Sequence, residues 1–216
     1  MSQLKTQPRL NAWVPIGWED YLTHINASEN SQAKGYYHLG CMRLEMLPIG
    51  FDHSTAHSLI SLAINLFGIT NSLPLTIADS CTYRKTDIRD CQPDLSVYVG
   101  ANVTAIPKQK NIVNLNQYPS PNLAIEISKT TLLDDLGAKR SLYESLNISE
   151  YWVVDVAKNE VIAYTMSLTG SHQIQTSNVL PGLALSTLET ALTQSQTQDQ
   201  TAIASWLMRE FQPSGN

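Results

Sequence analysis

The 216-residue chain is poor in charge. Only 15% of its residues are Asp, Glu, Lys or Arg, and acids exceed bases to give a formal charge of −5. That balance lends no support to a broad basic surface for nucleic acid. Cysteines number three, Cys41, Cys81 and Cys91, with no CxxC spacing. A disulfide framework or a zinc ribbon is therefore not expected, and reduced thiols in a cytoplasmic protein are. No apolar h-region stands in "MSQLKTQPRLNAW", so no signal peptide is expected. The longest apolar stretch, "LISLAINLFGI", is too short for a bilayer and contains Ser61 and Asn65, which predicts no membrane segment. Internal repeats, GxGxxG, a P-loop, HExxH and GxSxG are all missing.

What the chain does have is apolar content, 43% of its residues, enough for one packed domain with a sizeable core. A short helix is predicted around "GWEDYLTHIN", and two strands turning at Gly40 in "GYYHLGCMRLEMLPI". In "DHSTAHSLISLAINLFGI", His53, His57, Ile60, Ile64 and Phe67 share one face, and Leu59, Leu62, Ala63 and Leu66 share another. Such a helix is sandwiched inside the domain. Three strands are read in "LTIADSCTYRK", "PDLSVYV" and "NLAIEIS", the last two separated by a long loop. A helix over Leu132 to Leu146, the strand "EYWVVDV" and a hairpin of "VIAYTM" with "HQIQTS" follow. The polar "TQSQTQDQ" reads as a linker to a short amphipathic helix, "TAIASWLMREF", in which Trp206 marks a possible oligomer contact. This order predicts an α/β fold, with a mixed central sheet flanked by helices, N-terminal strands and a C-terminal β-hairpin.

Two strands place a carboxylate on the side opposite their apolar residues. Leu123, Ile125 and Ile127 alternate with Ala124, Glu126 and Ser128, and Leu95, Val97 and Val99 alternate with Asp94, Ser96 and Tyr98. If the strands are neighbours, Asp94 and Glu126 converge, and two close carboxylates repel unless a cation lies between them or one binds a proton. Mg²⁺ or Mn²⁺ suits an all-oxygen site. On the following helix, Leu132, Leu136, Lys139, Tyr143 and Leu146 form one stripe, which turns Lys139 toward the core, where an ammonium needs a partner. Arg140 reads as a snorkelling cation, and Lys129 points away from Glu126. A purely structural ion network of Asp94, Glu126 and Lys139 is the competing reading. His53 and His57 lack a third local zinc ligand and read as ordinary helix-start packing, while Asp52, Asp134 and Asp135 read as flanks of helix starts.

Pro93–Asp94, "EIS" at Glu126–Ser128 and "KRSLYESLNISEYWVVD" from Lys139 to Asp155, together with "DHSTAH" and "VLPGLAL", resemble a bacterial family abundant in cyanobacteria. Its members are described as putative restriction endonucleases, and it belongs to the PD-(D/E)XK nuclease superfamily. The resemblance spans roughly Gly35 to Leu192, and implies a nuclease domain over 35–192 between an N-terminal arm (1–34) and a C-terminal linker and helix (193–216). It implies a restriction-endonuclease-like core and Mg²⁺-dependent hydrolysis of DNA. Asp94 and Glu126 would be metal ligands, with the Ile127 carbonyl a third. The usual lysine, two residues after the Glu, is Ser128 here, so the resemblance moves that role to Lys139. Glu45 matches a family position near the site, and His57 and Tyr143 are further candidates. A homodimer would bring two sites to two strands. Two alternatives stay open: a nuclease fold without activity that serves binding or regulation, and a metal-dependent hydrolase of small phosphate esters.

Overall fold

The computed structural model describes residues 10–46, 50–167 and 169–212. The start of the N-terminal arm, the Leu47–Ile49 end of the second predicted strand and Leu168 of the predicted hairpin turn lie outside these residues. Twelve strands among the described residues form two six-stranded mixed sheets. Sheet A holds β1 (Val14–Pro15), β2 (Ala33–His38), β3 (Cys41–Met46), β5 (Thr82–Lys85), β6 (Arg89–Cys91) and β8 (Ile112–Asn114), in the order β1-β3-β2-β6-β5-β8. Sheet B holds β4 (Leu75–Asp79), β7 (Leu95–Val99), β9 (Leu123–Ser128), β10 (Glu150–Asp155), β11 (Glu160–Ser167) and β12 (Gly170–Ile174), in the order β12-β11-β10-β9-β7-β4. The expected α/β class, N-terminal strands and C-terminal hairpin are all present.

Alternation in β9 sorts its side chains between two cores. Leu123, Ile125 and Ile127 face helix α2 (Phe51–Thr70) and two C-terminal helices, α4 (Leu185–Gln194) and α5 (Gln200–Glu210). Ala124 faces the space between the sheets, among Tyr36, Tyr98, Tyr143, Tyr151 and Val153. Helix α2 is buried along Ala56, Leu59, Ile60, Ala63, Ile64 and Phe67 because it lies between sheet B and the C-terminal helices. The amphipathic C-terminal helix docks on this body through Ile203 and Leu207, and Phe211 meets Phe67 edge-on at 5.3 Å. Trp206 packs partly against the same core. Helix α1 (Trp18–Ile25) covers sheet A, and Gly35 allows the approach: a Cβ there would lie 2.6 Å from the Tyr21 hydroxyl.

Two expectations are corrected. "LTIADSCTYRK" is two strands, not one, and they belong to different sheets. Ser80 takes a left-handed φ of 49° between them and donates its N–H to the Asp94 carbonyl at 3.0 Å, so the chain turns out of sheet B at that point. The long loop after β7 is also not structureless, since β8 lies within it and pairs in parallel with β5. Its short length hides it from any periodicity reading.

The predicted Leu132–Leu146 helix, α3, begins as α-helix over Leu132–Asp134, becomes a π-helix over Asp135–Lys139 and ends as α-helix over Arg140–Ser145. It is tied to sheet A by His38, whose Nε2 is 3.1 Å from Ser141 Oγ. Burial, helped by the positive charge of Arg89, lowers the His38 pKa from 6.5 to about 4. A lowered folded-state pKa means the stability linked to neutral His38 is complete above the unfolded value and disappears as pH falls toward 4. Chemical denaturation from pH 7 to 4 is expected to show His38→Gln losing about 2 kcal/mol less than the wild type across that window. Equal losses would sink the assignment.

Candidate functional site

Antiparallel pairing of β7 with β9 sets Leu95 against Ile125, which leaves Asp94 opposite Glu126. Both acids are buried, at 5% and 2% exposure. Asp94 Oδ2 accepts the Ile127 N–H at 2.7 Å and lies 3.4 Å from His53 Nε2, while Oδ1 pairs with the Lys34 ammonium. Burial opposes charge on Asp94, but His53 and Lys34 outweigh it and hold the carboxyl well below the usual carboxylate range. Glu126 differs. Its Oε1 accepts the Tyr143 hydroxyl at 2.5 Å and the Tyr36 hydroxyl at 3.3 Å, and its Oε2 is 3.6 Å from Lys139 Nζ. Burial, reinforced by Asp94 and Asp135, pushes its pKa up despite Lys139. Adjacent carboxylates are thus held in unlike states by unlike surroundings.

Lys139 reaches this point from the π-helical turn and is 1% exposed. Its ammonium is 2.9 Å from Asp135, 3.0 Å from Glu45 and 4.3 Å from the centre of the Tyr36 ring. Burial alone would lower its pKa, but Glu126, Glu45 and Asp135 together raise it. Arg43 steadies Glu45 at 2.7 Å and reaches Asp134 at 3.1 Å. Five acids (Glu45, Asp94, Glu126, Asp134, Asp135) are therefore linked to three bases (Lys34, Arg43, Lys139), two more acids than bases. This cluster borders an open cavity of about 460 Å³ whose lining includes Lys34, Glu45, His53, Asp94, Glu126 and Lys139.

The expected residues divide cleanly. Asp94, Glu126, Ile127, Lys139 and Glu45 line one cavity, and Tyr143 supports Glu126 from outside its lining. His57 turns elsewhere, with Nε2 3.1 Å from the Asp94 carbonyl and 3.4 Å from Asp79. Ser128 is buried beneath the rim, with Oγ 3.4 Å from Thr131 Oγ1. Lys129 borders the cavity too, as a surface cation paired with Asp52 at 2.6 Å. Asp135, expected only to flank a helix start, is instead fully buried against Lys139, because the i,i+4 spacing puts both on the same inward face. Lys34 and Tyr36 were not anticipated, and His53 faces Asp94 where ordinary packing was expected. A signal for the first two did exist: period-two alternation puts Lys34 and Tyr36 on one face of β2, and the hairpin register sets Lys34 opposite Glu45.

Among the described residues, no group of three or more His, Cys, Asp or Glu side chains is placed to hold a metal ion. The donor chemistry nevertheless fits a hard cation. Asp94 and Glu126 present oxygen, Ile127 lines the same cavity, and the cluster holds more acids than bases.

Among the described residues, no helix is long and apolar enough to cross a membrane. No curated protein matches the sequence significantly. Among solved structures, the fold is similar to a crystal structure described as a putative nuclease belonging to DUF820 from Anabaena variabilis. The TM-score is 0.53 at 16% identity, covering 89% of this chain and 99% of the other. A family model described as "Uma2: Putative restriction endonuclease" matches residues 18–202. With most of its length accounted for by that model, the chain belongs to the Uma2 family of putative restriction endonucleases.

Proposed function

We propose that the protein is a Mg²⁺- or Mn²⁺-dependent endonuclease that hydrolyses DNA phosphodiester bonds in the cavity bordered by Asp94, Glu126 and Lys139. The observation that carries this reading is the pair of unlike buried carboxylates on neighbouring strands, beside a buried lysine and open to solvent through one cavity. Asp94 and Glu126, with the Ile127 carbonyl, would hold the metal. When bound, such a cation polarises a phosphoryl oxygen and lowers the pKa of coordinated water.

The chain's own groups supply the rest. Lys139 keeps a fixed positive charge beside the cavity, where negative charge grows on the phosphorane, and Glu45 and Asp135 hold its ammonium in place. Tyr36 and Tyr143 orient Glu126, and His53 and the Ile127 N–H orient Asp94. Family membership supports nucleic acid as the substrate class. A homodimer acting on both strands, in the cytoplasm, completes the proposal.

Purified protein incubated with supercoiled plasmid and with single-stranded DNA is expected to nick or cut in Mg²⁺ or Mn²⁺ and to stop on chelation. Folded protein that cleaves neither DNA nor RNA in any divalent metal would overturn this reading. A second reading is favoured by one observation: Lys34 and the Ile127 N–H already engage both Asp94 oxygens. Under it the cluster is a structural ion network in a binding or regulatory protein, and neither metal changes the melting temperature.

A further inference from the structure

Lys34 has no place in the mechanism above and, unlike Arg43 and Lys129, which also line the cavity, its side chain pairs with a proposed metal ligand. It stands on β2, its side chain 12% exposed, and its ammonium pairs with Asp94 Oδ1. Among the described residues Asp94 is its only hydrogen-bond or ion-pair partner. Lys139, by contrast, is held by three carboxylates. The two lysines therefore differ in how tightly they are bound to the site. One is locked on several sides, and the other rests on a single oxygen at the end of a flexible four-carbon stem.

We infer that Lys34 is an internal competitor for the divalent cation, occupying Asp94 in the metal-free protein and leaving it when the metal binds. This rests on the proposed metal site. The physical reason is competition. An ammonium on a carboxylate oxygen takes one of its lone pairs and repels a hard cation that approaches the same group across a short distance. Neighbouring charges agree with this role. The Lys34 ammonium contacts Asp94 and shares one cavity with Glu126 and Glu45. Displacement does not strand the charge, because the β2–β3 register keeps Lys34 opposite Glu45 and inside the cavity. There it adds positive charge for a phosphate to meet. Asp94 is thereby paired in the metal-free site, and metal affinity is set lower than two acids alone would give.

Calorimetric titration with Mn²⁺, with melting curves in parallel, tests this on the wild type, Lys34→Met and Lys34→Arg. Removing the charge is expected to lower the Mn²⁺ Kd about 10- to 100-fold, the range typical of coupling between two ligands, while Lys34→Arg stays near wild type. Lys34→Met is also expected to melt lower without metal and to gain more from Mn²⁺. Lys34→Gln, smaller and uncharged, gives the same reading should the Met variant not fold. In an Asp94→Asn background, Lys34→Met should no longer change Mn²⁺ binding. Binding by the Lys34→Met protein alone, with none by the wild type, would also support the inference. Equal or weaker binding by the folded variants, with the wild type binding, overturns the competitor and leaves the metal site standing. No binding by any of them overturns both.

Discussion

Glu126→Gln is expected to lose metal-dependent nicking by roughly 10³-fold, corresponding to the several kcal/mol that a hard cation contributes to charge stabilisation. Its melting temperature is expected to stay within about 3 °C of the wild type, equivalent to roughly 1 kcal/mol for a domain of this size. Both halves follow from the environment of this side chain. As a carboxylate it is buried at 2% exposure with its pKa pushed up, so the folded chain is little stabilised by its charge. Gln keeps the shape and keeps an Oε1 for the Tyr36 and Tyr143 hydroxyls. Lys139 retains Glu45 at 3.0 Å and Asp135 at 2.9 Å after the change. What disappears is the negative oxygen beside Asp94. A plasmid-nicking time course with a parallel melting curve reads both quantities, and wild-type nicking by a folded Glu126→Gln protein would rule out this site.

Lys139→Met should do the reverse and strike stability first. Removing the ammonium leaves Glu126, Glu45 and Asp135 facing one another in the protein interior. Breaking a buried pair in this way costs about 3–5 kcal/mol, and the melting temperature is expected to fall by roughly 10 °C. Met fills the space of the lysine stem, so lost packing is a small part of that cost. The deficit should also depend on pH. Carboxyls stripped of their cation have folded-state pKa values above their unfolded ones, as Glu126 already has. A raised pKa gives stability that is present below the unfolded value and lost as pH rises, so the gap to wild type narrows at low pH. Denaturant melts at two pH values measure it. A Lys139→Met protein as stable as the wild type would show that Lys139 is not the keystone of this cluster.

Much of the site could be read from spacing alone, and particular residues show why. Asp94 and Glu126 were readable because alternation along a strand is a local property, and both strands state their apolar face unambiguously. Lys139 was readable because helical period placed it among Leu132, Leu136 and Tyr143, and a π-turn did not undo that direction. Asp135 stands four residues before Lys139, a spacing that puts the two on one helical face, 2.9 Å apart here, so the period that turns Lys139 inward also turns Asp135 inward. His57, a further candidate beside ordinary packing, shows that facing the core and facing the cavity are the same statement in a helical wheel. The structure separates them, giving His53 to Asp94 and His57 to the Asp94 carbonyl and Asp79.

Local pattern thus determined the α/β class, the two carboxylate strands, the buried lysine and the amphipathic character of the C-terminal helix, since each depends on side-chain period within one segment. Tertiary structure alone decided that "LTIADSCTYRK" divides between two sheets and that β2 lies over the carboxylate pair. It also decided that Lys34, sixty positions from Asp94 in the chain, is that acid's counter-charge. Coulomb interactions act through distance in space, and no period in the sequence encodes which distant ammonium will meet a given carboxylate.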